Sequence, residues 1–187
     1  VIIDSSTAAP PAGDDRPYRR NRIFRGCPEQ ENAAGDAFRC GQKALSYNTE
    51  QVNDEYVEAA GYMWSLPKAQ ETIRRRTAEV RRHNTIVGSE MNHDAYHRIS
   101  TEDVLDMPVM LYWSQNDPSV LPMQGYSLYN IIAESNPRTW LLFTNNGGHF
   151  HYREHPAQFN RNIINFVTNW DNGEASESPA EDRQILE

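Results

Sequence analysis

At 187 residues, 38% of them hydrophobic and 24% charged, the chain has the composition of a soluble globular protein and the length of one domain plus an insertion. Its formal charge of −8 is uneven: from Asp171 onward Asp171, Glu174, Glu177, Glu181, Asp182 and Glu187 face only Arg183, a net of −5, which leaves −3 on the other 170 residues. No apolar run reaches the roughly 20 residues that span a bilayer, so the expected protein is neither membrane-embedded nor signal-bearing and is placed in the cytoplasm by default, and no nucleic-acid partner is expected because the arginines are interleaved with Asp, Glu and Pro rather than aromatics.

Taken in chain order, "VII" followed by "DSSTAAPP" reads as a buried strand running into a loop, and residues 1–9 are assigned to a core strand. No methionine precedes Val1 and the first in the chain is Met63. A strand of consecutive β-branched residues at a bare sheet edge is normally covered, so further sequence is expected upstream, as a lost or cleaved segment or a separate chain. Residues 10–104 read as an insertion, irregular from Ala8 to about Gly41 with one short helix, then mostly helical. In "VNDEYVEAAGYMW" Asn53 is a cap followed by acidic residues, and "PKAQETIRRRTAEVRRHN" reads as a second helix with Pro67 near its start and basic residues in its last turn. Cys27 and Cys40, with no secretory signal present, are expected as free thiols.

The pattern changes over residues 105–170. Val109 to Trp113 is a short apolar run ending in a polar Asn-Asp-Pro turn, as a buried parallel strand would. "MQGYSLYNIIAESN" places Met123, Tyr126, Tyr129 and Ile132 on one helical face, and Thr139 to Phe143 form a second buried strand. After "NNGGH", the spacing of Phe159, Ile163, Phe166, Val167 and Trp170 predicts a core-facing helix. Strand, helix, strand, helix implies a parallel α/β sheet, whose ligands gather at the carboxyl ends of the strands. The tail, residues 171–187, is too polar to offset its ordering entropy and is expected to be disordered.

Asp117 and His149 each follow a predicted strand. Adjacent parallel strands lie about 4.8 Å apart and their turns open on the same edge, so an acid after one and a histidine after the next can meet. The carboxylate would orient the imidazole for general-base catalysis. Asp4, after the first strand, is a rival for the acid's place, although it would equally serve the backbone of a turn. His151 and His155, and His93 with His97, raise the question of a metal; no third ligand stands at convincing spacing, so none is expected. Two arginine clusters, Arg16 to Arg25 and Arg74 to Arg82, hold ten arginines interleaved with Asp, Glu and Pro, and read as a solvated surface on which Arg74 pairs with Glu71 or Glu79. Met63, Trp64 and Leu66 would line an apolar pocket or form the core of the insertion, and the residues leave both open.

"MPVMLYWSQNDPSVLP" and "NNGGHFHYREHPAQFNRNIINFV" resemble the last two strand-loop-helix units of α/β-hydrolases, and most of all the meta-cleavage-product hydrolases, which split carbon–carbon bonds in ring-fission dienoates. The acid turn of that family maps onto Trp113 to Asp117, and its histidine turn onto Gly148, His149, Phe150, Glu154, His155, Phe159, Asn160 and Arg161. The resemblance implies the C-terminal part of an α/β-hydrolase sheet with a mostly helical lid at residues 10–104. It implies Asp117 and His149 as the catalytic acid and base, with Phe150, Val120, Trp64 and Met63 against the substrate. Three positions depart from the family. Gly-x-Ser-x-Gly, which carries its nucleophile, occurs nowhere in the chain; Ser114 stands for a glycine of the acid turn; and Ala60 falls about where the family has a lid arginine. The implied activity is hydrolysis of a small aromatic or apolar substrate, at a carbon–carbon or ester bond, without metal or organic cofactor. The implied partner is an N-terminal segment or second chain carrying Gly-x-Ser-x-Gly, with a homo-oligomer possible. The other reading is a non-catalytic hydrolase-like binding module.

Overall fold

The structure is a computed structural model that describes residues 1–4, 22–28, 35–102 and 104–169. The predicted acidic tail, Trp170 and most of the irregular stretch, with Arg16, Arg19 and Arg20, lie outside the described residues. Strands β1 (Ile2–Asp4), β2 (Val109–Ser114) and β3 (Thr139–Thr144) form one parallel sheet in the order β1-β2-β3. Between β1 and β2 run four described helices: α1 (Gly35–Ala44), α2 (Asp54–Ser65), α3 (Pro67–Arg75) and α4 (Ala78–Thr101). Helix α5 (Pro122–Ala133) connects β2 to β3, and α6 (His151–Glu154) and α7 (Pro156–Asn169) follow β3.

Strand β2 is central and every residue in it is buried. Both faces must then be covered, which is why its sequence, "VMLYWS", reads as continuous rather than alternating. In a parallel sheet, paired residues share a face, so the register decides what each face carries. Ile3, Leu111 and Leu141 pair in one row, and with Val109, Trp113 and Phe143 they face the α5 side. There Val109, Leu111, Trp113, Val120, Leu128 and Ile132 make the core, joined by Ile99 and Tyr96 of α4. Asp4, Tyr112 and Leu142 pair in the next row, on the face that α6 and α7 cover. On that face Phe159 stacks on Tyr112 with ring centroids 5.1 Å apart, and Phe166 meets Trp140 edge-on at 5.8 Å.

Helix α5 turns inward only half of the expected face, with Ile132 in the core and Tyr129 packed against it. Gln124, Gly125, Leu128 and Ile132 are buried, whereas Met123 is 65% exposed and Tyr126 is exposed apart from its ring contact with Phe143 at 4.9 Å. The reason is Gly125. A Cβ there would come within 2.8 Å of the Trp113 indole, so the absence of a side chain lets the helix settle on that ring. Val167 likewise turns out 58% exposed, and α7 packs through Phe159, Asn162, Ile163 and Phe166 instead. Asn136 is buried between α5 and β3; its amide donates to the carbonyls of Leu105 and Met107, both at 2.7 Å, and so ties that turn to the approach to β2.

Among the connecting helices, Asn53 caps α2 as expected, accepting from the Tyr56 N–H at 2.9 Å. The second predicted helix is two. Thr77 accepts from the Val80 N–H at 3.2 Å and starts α4, so the chain breaks at Arg76 and Thr77 before continuing to Thr101. Arg74 and Arg75 both pair with Glu71 on the solvated face. The expectation of free thiols is corrected. Cys27 and Cys40 are disulfide-bonded with Cα atoms 5.5 Å apart, because residues 22–28 fold back on α1, with Phe24 against Gly41. Sequence spacing says nothing about that approach. Among the described residues no helix is long and apolar enough to cross a membrane.

Candidate active site

The turns after β2 and β3 open on the same edge of the sheet, and the structure brings Asp117 and His149 together there. His149 Nδ1 lies 2.8 Å from Asp117 Oδ2. Asp117 itself is 2% exposed and fixed by its own turn, its Oδ1 accepting from the Ser119 N–H at 2.8 Å, the Ser119 hydroxyl at 2.8 Å and the Val120 N–H at 2.9 Å. One oxygen anchors the carboxylate and the other is left for the imidazole. With Asp117 ionised, Nδ1 carries the proton and donates it, which leaves the Nε2 lone pair available to take a proton.

The charge state of His149 follows from opposing effects. Burial works against the imidazolium, but the Asp117 hydrogen bond and charge outweigh it, Asp4 adds to them, Arg153 opposes, and the midpoint ends above the ordinary histidine value. An imidazole so placed holds a proton more firmly than a free one, as a base that must pass through its protonated form requires.

Two glycines let the turn close, each by leaving space. At Gly147 a Cβ would meet His151 Cβ at 2.8 Å and the Ser114 hydroxyl at 3.0 Å, and that hydroxyl donates to the Gly147 carbonyl. Ser114 therefore bonds the histidine turn directly from the end of β2. At Gly148 a Cβ would strike the Leu45 carbonyl and the Tyr47 nitrogen, both at 2.5 Å. The chain between α1 and α2 lies directly on the histidine turn. His149 N–H donates to the Leu45 carbonyl at 2.8 Å, and Glu154 accepts from the backbone N–H groups of Asn48 at 2.8 Å, Tyr47 at 3.1 Å and Gly148 at 3.1 Å. Arg153 extends the same junction: its guanidinium donates to Gln42 at 3.2 Å and stacks 4.0 Å over Phe150 and 4.6 Å over Tyr56.

The other sequence expectations fare unequally. Phe150 is half-buried, its ring 5.1 Å from that of His149. Val120, expected against the substrate, packs in the core instead; its backbone holds Asp117 by the N–H and accepts the Trp113 indole N–H at 3.2 Å. Met63 and Trp64 lie on α2, Met63 58% exposed and Trp64 half-buried with its carbonyl accepting from Gln70 at 2.7 Å. Asp4 does not take the acid's place beside His149; it lies 2.6 Å from His151 Nε2. His155, considered as a metal ligand, donates from Nε2 to the Asn146 carbonyl at 2.9 Å and so supports the turn, where Asn146 adopts a left-handed φ of 56°. Glu154, Arg153 and Gln42 were not singled out for these roles. Glu154, five residues beyond His149, carries a faint signal as an acid beside backbone donors, whereas Gln42 has none.

A parallel sheet with a carboxylate–imidazole pair at its carboxyl edge and helices on both faces is an α/β-hydrolase-type arrangement, present here in part. Comparison with solved structures bears out that relationship at the level of fold. The chain is similar to the meta-cleavage product hydrolase CumD from Pseudomonas fluorescens IP01, in a serine-to-alanine mutant complexed with acetates, with a TM-score of 0.59 and 16% identity, over 90% of this chain and 55% of that one. It is also similar to an alanine-to-valine mutant of CumD, with a TM-score of 0.53 and 20% identity, over 71% of this chain and 45% of that one. The chain thus spans about half the length of the structures it matches. No family model and no curated protein matches the sequence.

Proposed function

We propose that this chain is the acid- and base-bearing part of a serine-type α/β-hydrolase acting on a small aromatic or apolar substrate, at a carbon–carbon or ester bond. The observation that carries the reading is the 2.8 Å contact between His149 Nδ1 and a buried, triply anchored Asp117, at the carboxyl edge of adjacent parallel strands. His149 Nε2 would take the proton of a serine hydroxyl as the oxygen attacks the substrate, and return it to the leaving group. A water, deprotonated by the same nitrogen, would then release the second product. The sequence contains no Gly-x-Ser-x-Gly, so the serine is assigned to an N-terminal segment or partner chain. No residue of the site requires a metal or organic cofactor for this chemistry. The Cys27–Cys40 bridge favours an oxidising compartment over the cytoplasm expected from sequence.

The test uses native material: intact mass under denaturing conditions, sequencing of any co-purifying polypeptide, and turnover of a short-chain aryl ester. A serine-bearing companion, with turnover abolished in His149→Ala, supports the reading. Turnover unchanged in His149→Ala refutes the site, and a single 21.5 kDa species without turnover favours the non-catalytic module.

A further inference from the structure

A second carboxylate–imidazole pair lies beside the first, and the reaction above does not use it. His151 is wholly buried, boxed by Tyr112 with ring centroids 4.8 Å apart and by Phe159 at 5.6 Å. Its two ring nitrogens reach opposite edges of the three-stranded sheet. Nε2 lies 2.6 Å from Asp4 Oδ1 on β1, and Nδ1 lies 3.1 Å from the Thr144 hydroxyl at the end of β3. Tyr112 on β2 continues the network, its hydroxyl 3.3 Å from that of Thr144 and accepting from the Asn162 amide of α7 at 2.8 Å. Register explains the convergence. Asp4 pairs with Tyr112 and Ser114 with Thr144, so Asp4, Tyr112 and Thr144 share one face of the sheet, the face on which His151 sits.

We propose that Asp4 is a positioning residue for His149: it holds His151 and, through it, clamps the start of α6 and the turn bearing His149 onto the sheet. His151 is two residues beyond His149, and its Cβ already bounds the space that Gly147 leaves empty. Fixing the His151 ring at both nitrogens therefore fixes the path of the turn, and because the ring is wholly buried the loss of either partner is costly. Asp4 has a second effect, because its charge is among those that favour the protonated form of His149. The charged groups facing His149 are Asp117 from the turn after β2, Asp4 from β1, and Arg153 from α6; Glu154 is taken up by the backbone of Gly148, Tyr47 and Asn48. The inference rests on His149 as the base, but it is read out without turnover.

The experiment is an NMR titration of the His149 ring carbon–hydrogen signal in the full protein with whatever companion it carries. In Asp4→Asn the His149 midpoint is expected to fall, and in Asp4→Glu, which keeps the charge, to return toward wild type. Asp4→Ser serves where the asparagine variant does not fold. Thr144→Val cuts only the uncharged arm, and is expected to speed amide exchange of His149 while leaving its midpoint in place. A folded Asp4→Asn protein with an unmoved midpoint and unchanged His149 exchange overturns the proposal. So does a Thr144→Val midpoint that falls as far as that of Asp4→Asn. If no variant or wild-type protein turns over ester, the hydrolase reading fails while the titration still decides the role of Asp4.

Discussion

Replacing Asp117 separates what its two oxygens do. Asp117→Ala removes an acceptor from the Ser119 N–H, the Ser119 hydroxyl and the Val120 N–H, at 2.8 to 2.9 Å, and from the imidazole at 2.8 Å. At about 1 kcal/mol net for each of the three local bonds, the loss is about 3 kcal/mol. For a chain of this size that corresponds to a fall of about 6 to 12 °C in unfolding temperature. Asp117→Asn has nearly the same shape, and its amide oxygen can still accept the three local donors. Its NH2 group then faces His149 Nδ1, which must accept, so the ring proton moves to Nε2 and the lone pair needed for catalysis disappears. Above the His149 midpoint the asparagine variant is therefore expected to stay close to wild type in stability while losing turnover by about 10⁴-fold. Calorimetry, the His149 titration and aryl-ester kinetics on the three proteins test this together. A wild-type His149 midpoint in Asp117→Asn, or an unchanged unfolding temperature in Asp117→Ala, refutes the reasoning.

The raised midpoint of His149 also sets a pH dependence. Its folded value lies above the ordinary 6.5, so the stability that the pair contributes is fully present below pH 6.5 and is lost as pH rises through the folded midpoint. The gap in unfolding temperature between wild type and Asp117→Asn should narrow over that window, and a gap that widens with pH is the contrary result. Gly148→Ala drives a methyl group into the backbone of Leu45 and Tyr47; a cost of about 1 to 3 kcal/mol and faster amide exchange at His149 are expected, and unchanged exchange counts against the docking described here. Reduction of Cys27–Cys40, 13 residues apart in sequence, should lower stability by about 3 kcal/mol, measured by unfolding with and without reductant. Leu111→Ala, in the fully buried β2, should cost about 2 to 5 kcal/mol by denaturant unfolding.

The sequence by itself determined the elements that rest on local chemistry. The apolar runs at 109–113 and 139–143, with the turns that stop them, specified strands, of which β2 is buried throughout and β3 fully buried only at its two ends, and Asn53 specified the start of α2. The order of strands and helices then specified a parallel sheet, and with it the edge where Asp117 and His149 meet, because chain order and strand spacing leave little choice. Tertiary structure decided what depends on approach between distant segments. Which face of α5 turns inward was settled by Gly125 against Trp113, and the disulfide by the fold-back of residues 22–28 on α1. The partner of Asp4 was settled in the same way. In sequence it competed with Asp117 for one histidine, and the register of β1 against β2 delivered it to another, 147 residues away. Periodicity reports how a segment is exposed along its own axis, whereas register and close packing are fixed only when separate segments are brought together.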